Sequence, residues 1–205
     1  MRRSILAGLA AGLLLGPVPS HAVQMSLAIT QMYAAVEAAP PTAEQMMVCY
    51  GFLCRLRAFL YFSAADRTAL TAIMAKGKAN PADERKALQQ AMVWFDKRAG
   101  QEVGTNKRVA RADFRMRDDN HNFDCYDTTR NAVSMLLVIR EWSLLRHHTI
   151  ADPKYRGNFL VGQTPHNTAV LTEKSGGKDW IIDMWTTGYA QVPDVMTLEK
   201  WMDEP

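Results

Sequence analysis

The sequence predicts an α+β domain whose helices come first and whose antiparallel strands follow a central helix. Three observations predict it. Apolar residues recur at spacings of three and four in several stretches between residues 23 and 98, and again from about 125 to 145. The last third changes to β-branched and aromatic runs, "HNTAVLTE" and "DWIIDMW", on either side of the turn sequence "KSGGK". That order of elements argues against a doubly wound parallel sheet.

The chain opens on a segment that stands apart from the fold. Residues 1–22 hold Arg2 and Arg3, an apolar run from Ile5 to Leu15, Pro17 and Pro19, and then Ser20-His21-Ala22. This is the pattern of a secretory signal peptide, with an apolar run too short to span a bilayer. The expected mature chain starts at Val23 and forms a single domain over 23–205, helical over most of 23–99 and carrying its chemistry in 100–205. Without Arg2 and Arg3, the 24 Lys+Arg fall to 22 against 21 Asp+Glu. So even a balance gives no footprint for nucleic acid or for an anionic membrane. The protein is therefore expected in the periplasm or secreted, and not membrane-embedded after signal removal.

The elements follow in order. Met25, Ile29, Met32 and Val36 define a helix that Pro40-Pro41 must end. Thr42 is read as the cap of a short helix reaching Met47. Leu56, Ala58, Leu60 and Phe62 alternate as in a strand. Ser63 with Asp66 opens a helix to about Lys76, and Asn80-Pro81 opens another to about Arg98. Residues 100–122 are polar and irregular. Ala132, Met135, Leu136 and Ile139 form the buried stripe of a helix over 125–145. His147 and His148 are read as favourable charges at its end. The two strands follow, and Thr197 caps a closing helical turn.

Cys49 and Cys54 are two of the three cysteines in the chain. In an exported protein a close pair is expected to be bridged. Five residues along an unbroken helix separate Cα atoms by about 8 to 9 Å, too far for a disulfide. The bridge therefore requires a chain reversal, which Gly51 tolerates. Cys125 is left alone at a helix start, where the helix dipole favours thiolate. A nucleophilic cysteine needs an imidazole base and a group to orient it. In a hairpin with an even loop, opposed positions sum to an odd number. His166, Thr168 and Val170 then share a face with Ile181, Asp183 and Trp185, so His166 and Asp183 project the same way.

Cys at a helix start, His about forty residues on and Asp seventeen after it, within "WIID", resemble the transglutaminase-like superfamily. "DCYD" at 124–127 is similar to the element of bacterial transglutaminase-like cysteine proteinases of the LapG type. The resemblance covers roughly residues 100–190 and implies a papain-like arrangement: a helix bearing Cys125 packed on an antiparallel sheet bearing His166 and Asp183. It implies a hydrolase with Cys125 as nucleophile, His166 as general base and acid and Asp183 as its orienter, acting on a protein or peptide. Those proteinases usually carry Gly where Phe123 stands and Glu where Tyr126 stands. Relatives can bind calcium through acidic residues at this element, which makes Asp124 and Asp127 the calcium candidates; no other cofactor is implied. Asn120 and Asn122 are the side-chain candidates for an oxyanion hole, with the Cys125 backbone N–H as a further donor.

Other readings compete. Asp118, Asn120, Asn122 and Asp124 alternate like an EF-hand, but Phe123 and Thr129 stand where that loop needs Gly and Glu. Asp124 serves as a helix N-cap whatever else it does. Asp124 and Asp127 both oppose a low thiol pKa. The same residues would serve transfer to an amine instead of water. A binding protein on the same fold would leave Cys125 as a small buried residue.

Overall fold

Side-chain oxygens mark where the helices of this protein begin. In the computed structural model, which describes residues 23–158, 160 and 162–204, Ser26 caps α1 (Leu27–Ala34) by accepting the Ile29 N–H. Ser63 and Asp66 exchange hydrogen bonds in a capping box at the start of α2 (Ala64–Ala75). Asn80 caps α3 (Pro81–Val103), whose first residue is proline and whose end is Gly104 at φ 78°. Asp124 caps α4 (Cys125–Glu141), and Thr197 caps α5 (Leu198–Asp203). The expected signal segment, 1–22, lies outside the described residues.

The strands form two antiparallel sheets. β1 (Gln45–Tyr50) and β2 (Leu56–Tyr61) make a hairpin. β3 (His148–Arg156), β4 (His166–Glu173), β5 (Asp179–Asp183) and β6 (Asp194–Thr197) lie side by side in that order. The fold is thus α+β. In the β4–β5 hairpin Val170 faces Ile181 and Ala169 faces Ile182, the odd-sum register read from the loop length.

α4 is the axis of the molecule. It packs against β4 of the larger sheet and against β1 of the hairpin, and every residue from Asp127 to Ile139 is buried. The sequence marks only an apolar stripe here. The rest of the helix can be buried because its polar residues find partners on neighbouring elements. Asn131 accepts the Cys49 N–H at 2.9 Å and donates to the Cys49 carbonyl at 2.8 Å. Ser134 bonds the Tyr33 hydroxyl at 2.6 Å, and Thr129 donates to the Asn167 carbonyl at 2.9 Å. One hydrophobic cluster runs from Val23 to Met184, drawing on the helical part and the sheet alike.

Four local expectations are corrected. Residues 45–47 are strand, not helix: Met46 and Val48 alternate into the core and Asn131 holds the strand end by both backbone polar groups of Cys49. α3 continues to Val103, where Gly104 supplies the stop. α4 ends at Glu141, so His148 opens β3 instead of closing a helix. β3 escapes a strand reading because Pro153 interrupts it. Its register breaks between Ala151 and Lys154, as an edge strand permits. No helix among the described residues is long and apolar enough to cross a membrane.

Candidate active site

The peptide between β1 and β2 takes an uncommon path. Gly51, Phe52, Leu53 and Cys54 all have positive φ, at 73°, 68°, 52° and 57°. Such a left-handed turn costs roughly 1–2 kcal/mol for each residue that is not glycine. Covalent and polar contacts hold it in place. A disulfide joins Cys49 to Cys54 with Cα atoms 4.5 Å apart. The Gly51 N–H bonds the Asn122 carbonyl at 2.9 Å. The next three N–H groups then converge on two carboxylates, as successive amides of a left-handed turn do around an anion. Phe52 and Cys54 donate to the two oxygens of Asp127 at 2.9 and 2.6 Å, and Leu53 donates to Asp124 at 2.8 Å. The other Asp124 oxygen caps α4 through the Asp127 N–H at 2.7 Å.

This accounts for the acidic residues on both sides of Cys125. They dock the stapled turn onto the first turn of α4 and so fix Phe52 and Leu53 beside the thiol. It also tests them as calcium ligands. All four carboxylate oxygens already accept backbone N–H groups, whose positive ends would face a cation. These residues do not fit a calcium site. Among the described residues there is no group of three or more His, Cys, Asp or Glu arranged to hold a metal.

On the sheet side, His166 begins β4 and Asp183 ends β5. They stand diagonally, since the position opposite Asp183 in this register is Thr168, yet the His166 Nε2 meets Asp183 Oδ2 at 2.5 Å. Asp183 is gripped from three directions. Its Oδ1 accepts the Trp185 N–H at 3.0 Å, and its Oδ2 also accepts the Trp201 indole N–H at 3.3 Å. The imidazole lies between two indoles, with ring centres 4.5 Å from Trp185 and 5.5 Å from Trp201. An Nε2–H donated to Asp183 assigns the lone pair to Nδ1. That atom is buried and has no hydrogen-bond partner among the described residues. A Cβ at Gly157, where φ is 80°, would collide with the Thr164 carbonyl, so glycine lets the loop base close and bring Thr164-Pro165 in front of the histidine.

Cys125 is buried and is the free cysteine of the chain. The backbone N–H groups of Asn167, the residue after His166, and of Cys125 itself favour its ionised form. These two donors are outweighed. Burial first, then the Asp124 carboxylate and more distantly Asp183, push the thiol up to about 12. Desolvation and these carboxylates work against the thiolate that the helix start was expected to favour. Burial also pushes Asp124 and Asp127 up, Asp127 further by the charge of Asp124, with Arg130 opposing both.

Cys125 lines a cavity of about 430 Å³ and His166 lines an adjoining one of about 300 Å³. The two share Asp113, Arg115, Thr164 and Trp185 as common walls. Asn120 and Asn122 line neither cavity. Asn122 accepts the Val109 N–H at 2.8 Å and donates to Asp119 at 2.8 Å, while Asn120 accepts from Arg55 at 2.6 Å. Their amides hold loops and present no donor to the thiol. Sequence reading missed Trp185 and Trp201 as partners of the dyad. Strand parity put Trp185 on the face of His166 and Asp183, but core packing explains such tryptophans equally well, and nothing in the sequence singled out Trp201. Compared with known proteins, the chain matches no family model, no curated protein and no solved structure.

Proposed function

We propose that the protein is an exported cysteine peptidase or amidase of transglutaminase-like, papain-related architecture, with Cys125, His166 and Asp183 as its triad. One observation carries the reading: a buried imidazole, oriented through Nε2 by a carboxylate, with its Nδ1 unengaged, lining a cavity that adjoins the one lined by Cys125. The disulfide between Cys49 and Cys54 supports an oxidising compartment. In the proposed reaction the Cys125 thiol passes its proton to His166 Nδ1 as sulfur attacks an amide carbonyl. The oxyanion is received by the Cys125 backbone N–H. Collapse breaks the C–N bond, and His166 returns the proton to the leaving amine. Water then hydrolyses the thioester with His166 again as base. Because the thiol is held up near 12, proton transfer accompanies attack, and no standing thiolate is needed.

The same raised thiol favours a second reading, a binding protein that never reacts. The experiment is to incubate the purified protein with a complex peptide digest and read new termini by mass spectrometry. The triad reading predicts termini that vanish with Cys125→Ala and with His166→Ala, and fall about a hundredfold with Asp183→Asn. Termini that persist in Cys125→Ala would sink it, and a folded wild-type protein that generates none would leave the binding reading.

A further inference from the structure

The two cavities beside the candidate triad differ in chemistry. Beyond the common walls Asp113, Arg115, Thr164 and Trp185, the one that contains Cys125 is walled by Phe52, Leu53, Phe114, Tyr126 and Pro165, with Asp124 beside the thiol. The one that contains His166 adds Arg111, Arg156 and Thr186. Their cations are not equivalent. Arg115 pairs with Asp113 at 2.5 Å. Arg156 donates to the Trp201 and Glu204 carbonyls and pairs with the Glu204 carboxylate at 3.4 Å. Arg111 has no carboxylate partner and makes no side-chain hydrogen bond among the described residues. Its backbone is nonetheless fixed: φ is 53°, and its N–H bonds the Trp185 carbonyl at 2.7 Å. Arg111 is exposed and lines this cavity with its guanidinium unneutralised.

We infer that the cleft reads a peptide in two halves, a bulky apolar residue on the acyl side of the cleaved bond and an acidic residue immediately after it, bound by Arg111. The inference rests on the acyl-transfer reading for its polarity. The acyl carbon becomes bonded to Cys125 Sγ, so its side chain occupies the cavity that holds the thiol. The amine departs toward the group that protonates it, so the following residue occupies the cavity that holds His166. An apolar wall selects for the first by burial. A free guanidinium selects for a carboxylate on the second by paired charge-assisted hydrogen bonds.

The test uses Cys125→Ala protein, in which nothing can be cleaved. Dye-labelled, C-terminally amidated tetrapeptides of sequence alanine-leucine-aspartate-alanine are titrated by fluorescence anisotropy beside twins carrying asparagine for aspartate or serine for leucine. The aspartate peptide is expected to bind roughly tenfold tighter than its asparagine twin. Adding Arg111→Gln should erase that difference, whereas Arg115→Gln, which removes a cation already paired, should leave most of it. The serine twin should bind weakly in either background. Equal affinity for the aspartate and asparagine peptides, or no binding of either, overturns the inference. Wild-type protein mixed with the same peptides tests the parent reading separately. Cleavage with no acid preference sinks the inference and keeps the enzyme. Acid-selective binding without cleavage keeps the subsite and sinks the enzyme.

Discussion

His166 is confined by its neighbours: Nε2 is committed to Asp183, two indoles pack against the ring, and Nδ1 is unengaged among the described residues. Cys125 is equally constrained, since burial and Asp124 keep its proton in place. Together these predict a particular alkylation profile. If the thiol titrates near 12, its reaction with iodoacetamide should gain about tenfold per pH unit from pH 7 to 10, without a plateau. His166→Ala should leave that slope unchanged, because free thiolate carries the reaction. A plateau below pH 8 would mean that an ion pair with His166 overrides desolvation, contrary to the upward shift that burial and Asp124 impose. The residue types and their order were legible in the sequence, as was the shared face of His166 and Asp183, because strand parity is a property of counting. The direction of the thiol shift was only half legible. Two flanking acids announce themselves, but burial depends on Phe52 and Leu53, which come from a hairpin some seventy residues away.

At the scale of elements, the first turn of α4 and the β1–β2 turn form one structure. The need for a chain reversal between Cys49 and Cys54 could be argued from their spacing. That the reversal would be left-handed could not, since Phe52, Leu53 and Cys54 disfavour that region and accept it only because α4 supplies anions for their amides. For the same reason β1 was hidden: its anchoring to Asn131 is a tertiary fact. Breaking the staple should therefore do two things at once. Cys49→Ala with Cys54→Ala is expected to lose about 2 kcal/mol of stability for so short a loop. It should also loosen the apolar wall, raising the rate of Cys125 alkylation at a fixed pH. Chemical denaturation and alkylation on the same protein check both. If stability falls while alkylation is unchanged, the turn is a staple for the hairpin alone and does not control access to the thiol.

At the scale of the whole molecule, α3 joins the other elements through carboxylates on its buried stripe. Asp96 takes both arms of a fork from Arg108 at 2.8 and 2.9 Å, and the Ala190 N–H at 2.6 Å, which secures the loops around Trp185. Glu84 receives the Arg146 and His147 N–H groups at 2.6 and 2.8 Å and His148 Nδ1 at 2.8 Å, which secures the start of β3. In the sequence these acids cannot be told from solvated ones on the same helix, because their partners lie on other elements. They matter for how stability depends on pH. Burial pushes Glu84 up, but the bonds from His148, Arg146 and His147 prevail and hold it below its ordinary value. A lowered carboxyl contributes stability above its unfolded pKa, near 4.3, and loses it as pH falls through the folded one. Asp127 is shifted the other way by burial and by Asp124, so the folded state binds its proton more tightly than the unfolded chain does. Its contribution is full below about pH 4 and declines as pH rises through the raised value. The two limbs predict a thermal midpoint that is highest near pH 4 and falls on both sides. Glu84→Gln should lower the midpoint at pH 6, by about 1–3 kcal/mol in stability, and flatten the acid limb. Asp127→Asn should flatten the limb between pH 5 and 7 and leave the acid limb in place. A wild-type midpoint that climbs steadily from pH 4 to 8 would contradict an Asp127 carboxyl raised by burial. An acid limb that survives Glu84→Gln would mean that Glu84 does not carry it.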